Sequence, residues 1–280
     1  MLKITIVTVT YNAESTIEQA ISSVISQTYK NTEYIVIDGA STDGCLETIK
    51  KYNDHISYWV SESDRGIYDA MNKGIDAATG DYILFLGADD AFISNDILEA
   101  AVRYIEQLHS QGKKLDVVSF PVRLVHEDLL LEKEVCGTYR DIEYPLMIPH
   151  QGMFCRRSLF QKYRFDTKYK IAADYKFFLQ CYYDNDVNIE FVDHPAIVYF
   201  SIGGISSMYT TWNENRDIQI EMGFPISKVQ TKKNRSKRIS YYIKKLLNTL
   251  NLLSVVLISF KGWKKHRCDN QICRWCGRFG

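Results

Sequence analysis

The sequence predicts an α/β fold built on a mostly parallel, doubly wound sheet. Three observations predict it. Short β-branched runs alternate with amphipathic helical stretches from residue 4 to residue 86, those runs are apolar on both faces, and carboxylates stand at their carboxyl ends. Strands repeated this way lie side by side in parallel, and ligands of such sheets gather outside the strands' carboxyl ends.

Residues 4–9, ITIVTV, form the first strand, with a turn at Tyr11-Asn12. Between Glu14 and Gln27, the residues Ile17, Ala20, Ile21, Val24 and Ile25 recur at helical spacing, and residues 34–37 return as a strand ending at Asp38. The alternation continues as a helix over 43–52, a strand over 56–60, a helix over 66–78 and an apolar strand over 82–86. Asp38, Glu62 to Asp64 and Ala88 to Asp90 therefore fall where a ligand would sit. A further helix starts near Ser94. From about Leu115 the texture changes: residues 117–125 and 129–135 are β-like around a charged turn, which predicts a hairpin beside the parallel sheet. A helix over 173–183 and a strand near 189–192 follow.

The 280 residues allow one substantial core, read as a domain over 1–225 with a tail over 226–280. A formal net charge of zero hides a division between them. The tail holds 14 Lys/Arg against Asp269 alone, a charge of +13, which leaves −13 on residues 1–225. An acidic body needs a cation as intermediary to hold an anionic ligand, and no nucleic-acid partner is expected of it; the basic tail suits an anionic phospholipid surface. Seven scattered cysteines make no disulfide framework and point to a reducing compartment. The chain opens directly on a strand, without a charged leader and cleavage site, so the cytoplasm is the expected location.

Three carboxylate positions carry candidate chemistry. Asp38 opens Asp-Gly-Ala-Ser-Thr-Asp-Gly, where a carboxylate can accept hydrogen bonds from ribose hydroxyls or a base N–H; the same string also serves as a turn and helix cap. Asp89 and Asp90 have no basic neighbour in sequence, and adjacent acids are costly to hold ionised unless a cation is present. A hard divalent ion, Mn2+ or Mg2+, would relieve the pair and bridge a diphosphate; a solvated loop is the competing reading. Asp174 opens a helix behind two alanines, where it can act as a general base or stand as an ordinary first-turn acid.

Four strings occur in order: Val7-Thr8-Val9-Thr10-Tyr11-Asn12, Asp38 to Gly44, Ser61 to Gly74, and Phe85-Leu86-Gly87-Ala88-Asp89-Asp90. Together they resemble glycosyltransferase family 2, and His150-Gln151, Ala173-Asp174 and Gly203-Gly204-Ile205-Ser206 extend the likeness to about residue 205. The resemblance implies a GT-A fold and inverting transfer of a sugar from a nucleotide-diphosphate donor, with a UDP-sugar favoured, to a sugar or lipid-linked acceptor. By position, Asp38 and Asp64 would contact the nucleoside, Asp89 the ribose or diphosphate, Asp90 the metal, and Asp174 would be the base. Thr8 and Tyr11 would line the nucleotide pocket, Arg65 and Lys73 would touch phosphates, and His150 and Gln151 would face the donor sugar or acceptor.

Competing readings are a nucleotidyltransferase and a non-catalytic membrane-associated binding module. The first would bring a Gly-rich basic loop after strand one, where this chain reads Thr-Tyr-Asn-Ala-Glu. The second predicts nucleotide binding indifferent to Mn2+ or Mg2+. Processive relatives carry Gln-x-x-Arg-Trp soon after the base; Gln271 to Trp275 spells it about a hundred residues too late and is read as coincidence. In the tail, the basic segment 228–245, the apolar stretch 246–260 and Trp263 suit a helix lying in a membrane surface at the inner face of the plasma membrane. The alternative is a helix packed on the body or in a homodimer. His266, Cys268, Cys273 and Cys276 could supply four zinc ligands at non-standard spacing, or stand as free side chains.

Overall fold

β1 (Ile4–Thr10), α1 (Glu14–Ile25), β2 (Thr32–Asp38), α2 (Cys45–Lys51), β3 (Tyr58–Ser61), α3 (Ile67–Ala77) and β4 (Tyr82–Gly87) follow one another in a computed structural model of the chain. The structure describes residues 1–126, 131–135, 149–202 and 211–224, together with 253, 263–265, 272–273 and 278–279. β3, β2, β1 and β4 lie parallel in that order, with Thr10 opposite Asp38 and Val9 opposite Gly87, so their carboxyl ends form one rim.

Period-two alternation explains why these strands read as continuous apolar runs. Ile6, Val36, Leu84 and Leu86 face the core on the side of α1, while Val7, Ile35, Ile37, Ile83 and Phe85 pack on the other side with Tyr68, Met71 and Ile75 of α3. Gly74 lets α3 settle against β1, because a Cβ there would lie 2.4 Å from Val7 Cγ1.

After β5 (Ala91–Phe92) and α4 (Ile97–Ser110), the chain departs from the expected single strand over 117–125. It forms β6 (Val117–Ser119) and β7 (Val122–His126) in two different sheets. Pro121 has no N–H for a central ladder, and the strand breaks there. β7 does form the expected hairpin with β8 (Leu131–Val135). β9 (Met153–Arg156) inserts antiparallel between β4 and β6, a central strand that the sequence reading did not contain.

α5 (Leu159–Lys162), α6 (Ala173–Tyr182), β10 (Ile189–Phe191), β11 (Val198–Ile202) and α7 (Thr211–Glu221) complete the body. The main sheet runs β3-β2-β1-β4-β9-β6-β10. A second sheet holds β5, β11, β7, β8 and β12 (Lys264–Lys265), in that order.

Leu253, Trp263 and β12 of the tail pack on the body. Leu253 and Trp263 are at least nine-tenths buried in the main core, and Trp263 meets the ring of His126 edge-on at 6.5 Å between centroids. Trp263 is therefore not the membrane-interface anchor that its basic flanks suggested. No helix among the described residues is long and apolar enough to cross a membrane. Most of the apolar stretch 246–260, and His266, Cys268 and Cys276, lie outside the described residues, as do Gln271, Arg274 and Trp275.

Candidate active site

The rim formed by β1, β2 and β4 collects the predicted residues because parallel strands end on one side. At the end of β2, Asp38 is fully buried; Ser61 Oγ donates to it at 2.5 Å, Ser41 N–H at 3.1 Å, and the Ser41 hydroxyl donates to its other oxygen. The loops after β1 and β2 are laced together. Asn12 N–H donates to Ser41 Oγ at 2.8 Å and Thr42 N–H to Asn12 Oδ1 at 2.9 Å, with Asn12 and Ala40 both at positive φ.

Asp64 accepts the N–H of Gly66 at 2.8 Å, and its carboxylate and the Tyr11 ring both lie over Gly39. A Cβ on Gly39 would approach Asp64 Oδ2 to 2.5 Å and Tyr11 Cδ2 to 3.4 Å, so glycine is what permits this convergence. Tyr11 is 65% exposed, its ring beside Gly39 and open to solvent.

Three expected phosphate or pocket residues are differently employed. Thr8 is buried inside the sheet and accepts the Tyr34 hydroxyl at 3.2 Å, so it does not line the cleft; its side chain faces the α1 side, as alternation requires. Arg65 pairs with Asp69 at 2.8 Å, one helical turn on, and Lys73 pairs with Glu62 at 2.8 Å. Both cations are thus engaged by the chain's own carboxylates.

At the end of β4, Asp90 is buried and accepts N–H groups from Gly87 at 3.0 Å and from Ser201 of β11 at 3.1 Å. Burial first, and the neighbouring Asp89 second, push its carboxyl up to about 7, while His150 pulls the other way. No Lys or Arg among the described residues forms an ion pair with Asp90, and Asp89 shares its side of Gly87. Paired carboxylates, one of them desolvated, are hard oxygen donors that a divalent cation would relieve, so the residues present fit Mn2+ or Mg2+. Among the described residues no three His, Cys, Asp or Glu side chains converge on one point.

Asp174, the first-turn acid of α6, sits in a fixed frame. Tyr68 of α3 donates its hydroxyl to Oδ1 at 2.8 Å, His150 Nδ1 lies 2.9 Å from Oδ2, and the Tyr175 N–H donates to Oδ1 at 2.9 Å. Burial would raise the carboxyl, but the His150 hydrogen bond and charge, with Tyr68 and Tyr175, outweigh it and hold Asp174 below the ordinary carboxylate range. His150 thus bonds the base candidate and acts on Asp90 through its charge alone. Gln151 is buried, with its Oε1 unpartnered. Tyr68 was missed as a functional residue because it also fits the buried stripe of α3 with Met71 and Ile75. Gly203 to Ser206 lie outside the described residues.

Comparison with known proteins identifies the family and the fold. A family model, glycosyl transferase family 2, matches residues 5–162. A PGL/p-HBAD biosynthesis glycosyltransferase of Mycobacterium tuberculosis is 28% identical over 207 residues, covering 71% of this chain and 77% of that one. A Haemophilus influenzae glycosyltransferase is 31% identical over 219 residues, covering 72% and 80%. Among solved structures, S. aureus TarS 1-349 in complex with UDP-GlcNAc superposes with a TM-score of 0.62 at 20% identity, covering 86% of this chain and 72% of that chain. The mannosyltransferase PcManGT of Pyrobaculum calidifontis, in complex with GDP-Man and Mn2+, gives 0.57 at 16% identity, covering 92% and 76%. The sheet order, the rim of carboxylates and a family match over more than half the chain lead to one conclusion: this chain is a glycosyltransferase of GT-A fold and belongs to glycosyltransferase family 2.

Proposed function

We propose that the chain transfers a sugar from a UDP-sugar to an acceptor hydroxyl with inversion at the anomeric carbon, assisted by a divalent cation. The observation that carries this reading is the frame around Asp174, a carboxylate kept ionised and oriented at the same rim as Asp38, Asp64 and Asp90. Tyr11 and Asp64 would hold the nucleoside beside Gly39. Asp90, with Asp89, would hold the cation, which when bound neutralises charge on the departing diphosphate. Asp174 takes the acceptor's proton while the acceptor oxygen bonds to the anomeric carbon; the bond from that carbon to the diphosphate oxygen breaks, and its electron pair leaves with the nucleotide. Attack opposite the leaving group in a single displacement inverts the centre. His150 and Tyr68 keep the Asp174 lone pair directed. Relatives in fold solved with UDP-GlcNAc, and with GDP-Man and Mn2+, support the donor class and the ion.

The division of charge supports a further part of the same proposal. The domain over 1–225 does the chemistry, and the basic tail over 226–280 holds it on the inner face of the plasma membrane, where a lipid-linked acceptor for a surface glycan would lie.

A screen of nucleotide sugars for Mn2+-dependent hydrolysis tests the chemistry, with two variants as controls. Asp90→Ala is expected to abolish metal-linked donor binding, and Asp174→Ala to keep that binding and lose transfer by about a hundredfold or more. The reverse pattern overturns the assignment of roles.

A further inference from the structure

The helix that carries Asp174 starts without a cap of its own. Ala172 stands at the N-cap position of α6 and makes no side-chain hydrogen bond. The segment that leads into the helix is held from α7 instead. Glu214 Oε1 accepts the N–H of Lys170 at 2.9 Å, and its Oε2 accepts those of Ile171 at 2.8 Å and Ala172 at 3.0 Å. Three consecutive amides just ahead of α6 thus converge on one carboxylate. The same segment is tied from its other side, where Lys170 Nζ donates to the carbonyl of Arg65 at 2.8 Å, next to Asp64. Further along, Lys176 of α6 bridges Glu221 of α7 at 2.5 Å and Asp166 at 2.6 Å, so α7 is anchored at two places. Ala172 and Ala173 are buried in the core and offer no capping side chain, and a carboxylate brought in from another helix fixes the segment ahead of them.

We propose that Glu214 is a positioning residue for the base: from α7 it fixes the entry of α6, and with it the height and rotation at which Asp174 meets Tyr68 and His150. This rests on Asp174 being the base. In a fixed site, a displacement of about 1 Å far from the reacting atoms is enough to cost on the order of a hundredfold in rate.

The test compares wild type with Glu214→Ala, Glu214→Gln, Asp174→Asn and the exposed α7 variant Asp217→Asn. Hydrolysis of UDP-glucose, UDP-galactose and UDP-N-acetylglucosamine in MnCl2, UDP binding in MnCl2, and hydrogen exchange over residues 170–176 are measured on the full chain. Glu214→Ala is expected to lower kcat by about thirtyfold with the UDP Kd within about twofold. Glu214→Gln, which keeps one acceptor oxygen, falls between Glu214→Ala and wild type, exchange quickens at 170–173 in both, and Asp217→Asn matches wild type. Wild-type kcat in Glu214→Ala while Asp174→Asn is inactive overturns this proposal alone; full turnover in Asp174→Asn overturns the base assignment and this proposal with it. A loss of UDP binding equal to the loss of kcat, or exchange raised across the whole chain in Glu214→Gln, assigns Glu214 a merely structural role and overturns it as well.

Discussion

Asp174 and Asp90 stand on one rim and are tuned in opposite directions. The Asp174 carboxyl is depressed, so its anion is favoured above the ordinary carboxylate value and the advantage disappears as pH falls through the folded value. Tyr68→Phe removes one hydrogen bond to that anion, and the acid limb of the pH–rate profile is expected to move to higher pH, with donor KM unchanged. An unmoved limb would show that Tyr68 does not tune the base. Asp90 is raised to about 7, so its charged form costs the fold stability, and the cost grows as pH climbs from the unfolded carboxylate value to about 7. A cation that replaces the proton removes the cost. The increase in Tm produced by MnCl2 with UDP should therefore be larger at pH 8 than at pH 5.5, and an increase independent of pH would count against Asp90 as the ligand. Sequence patterns place Asp38, Asp64, Asp90 and Asp174 at the rim because each lies at or just past a strand's carboxyl end or in the first turn of a helix. They mislead at Thr8, where alternation along β1 decides which way the side chain points.

At the level of elements, the contact of α3 with β1 depends on a missing side chain. Gly74→Ala puts a methyl group 2.4 Å from Val7 Cγ1, and α3 must lift. We expect a loss of about 1–3 kcal/mol in chemical denaturation, accompanied by reduced turnover because Tyr68 rides on the same helix. No change in stability would mean that α3 has slack. β1 through β4 were readable in the sequence because their alternation with amphipathic helices spans many residues. β9 was not: four residues, Met-Phe-Cys-Arg, carry too little periodicity to announce a central strand. The division between β6 and β7 had a visible signal in Pro121, whose ring ends a central ladder, but assigning the two halves to different sheets needs partners far along the chain.

For the whole molecule, the opposed charges of body and tail would make the proposed surface attachment a matter of ionic strength. The full chain is expected to cosediment with vesicles rich in anionic lipid and to be released as salt rises from about 0.1 M to 1 M, where the screening length shrinks from about 10 Å to 3 Å. Retention at high salt would instead indicate apolar insertion. The insertion of β9 also sets an order of events on the ribosome. β4 and β6 do not touch as neighbours, so the first hundred or so residues can pair β1, β2, β3 and β4 as they emerge, whereas β6 waits for β9 to be synthesised before it finds its place. Pulse-labelled exchange during refolding should protect Val7 and Ile35 before Val118 and Phe154. The half proposed to grip the nucleotide would then be born ahead of the half proposed to carry out the transfer, and a chain stalled between them would hold a donor site with no chemistry attached.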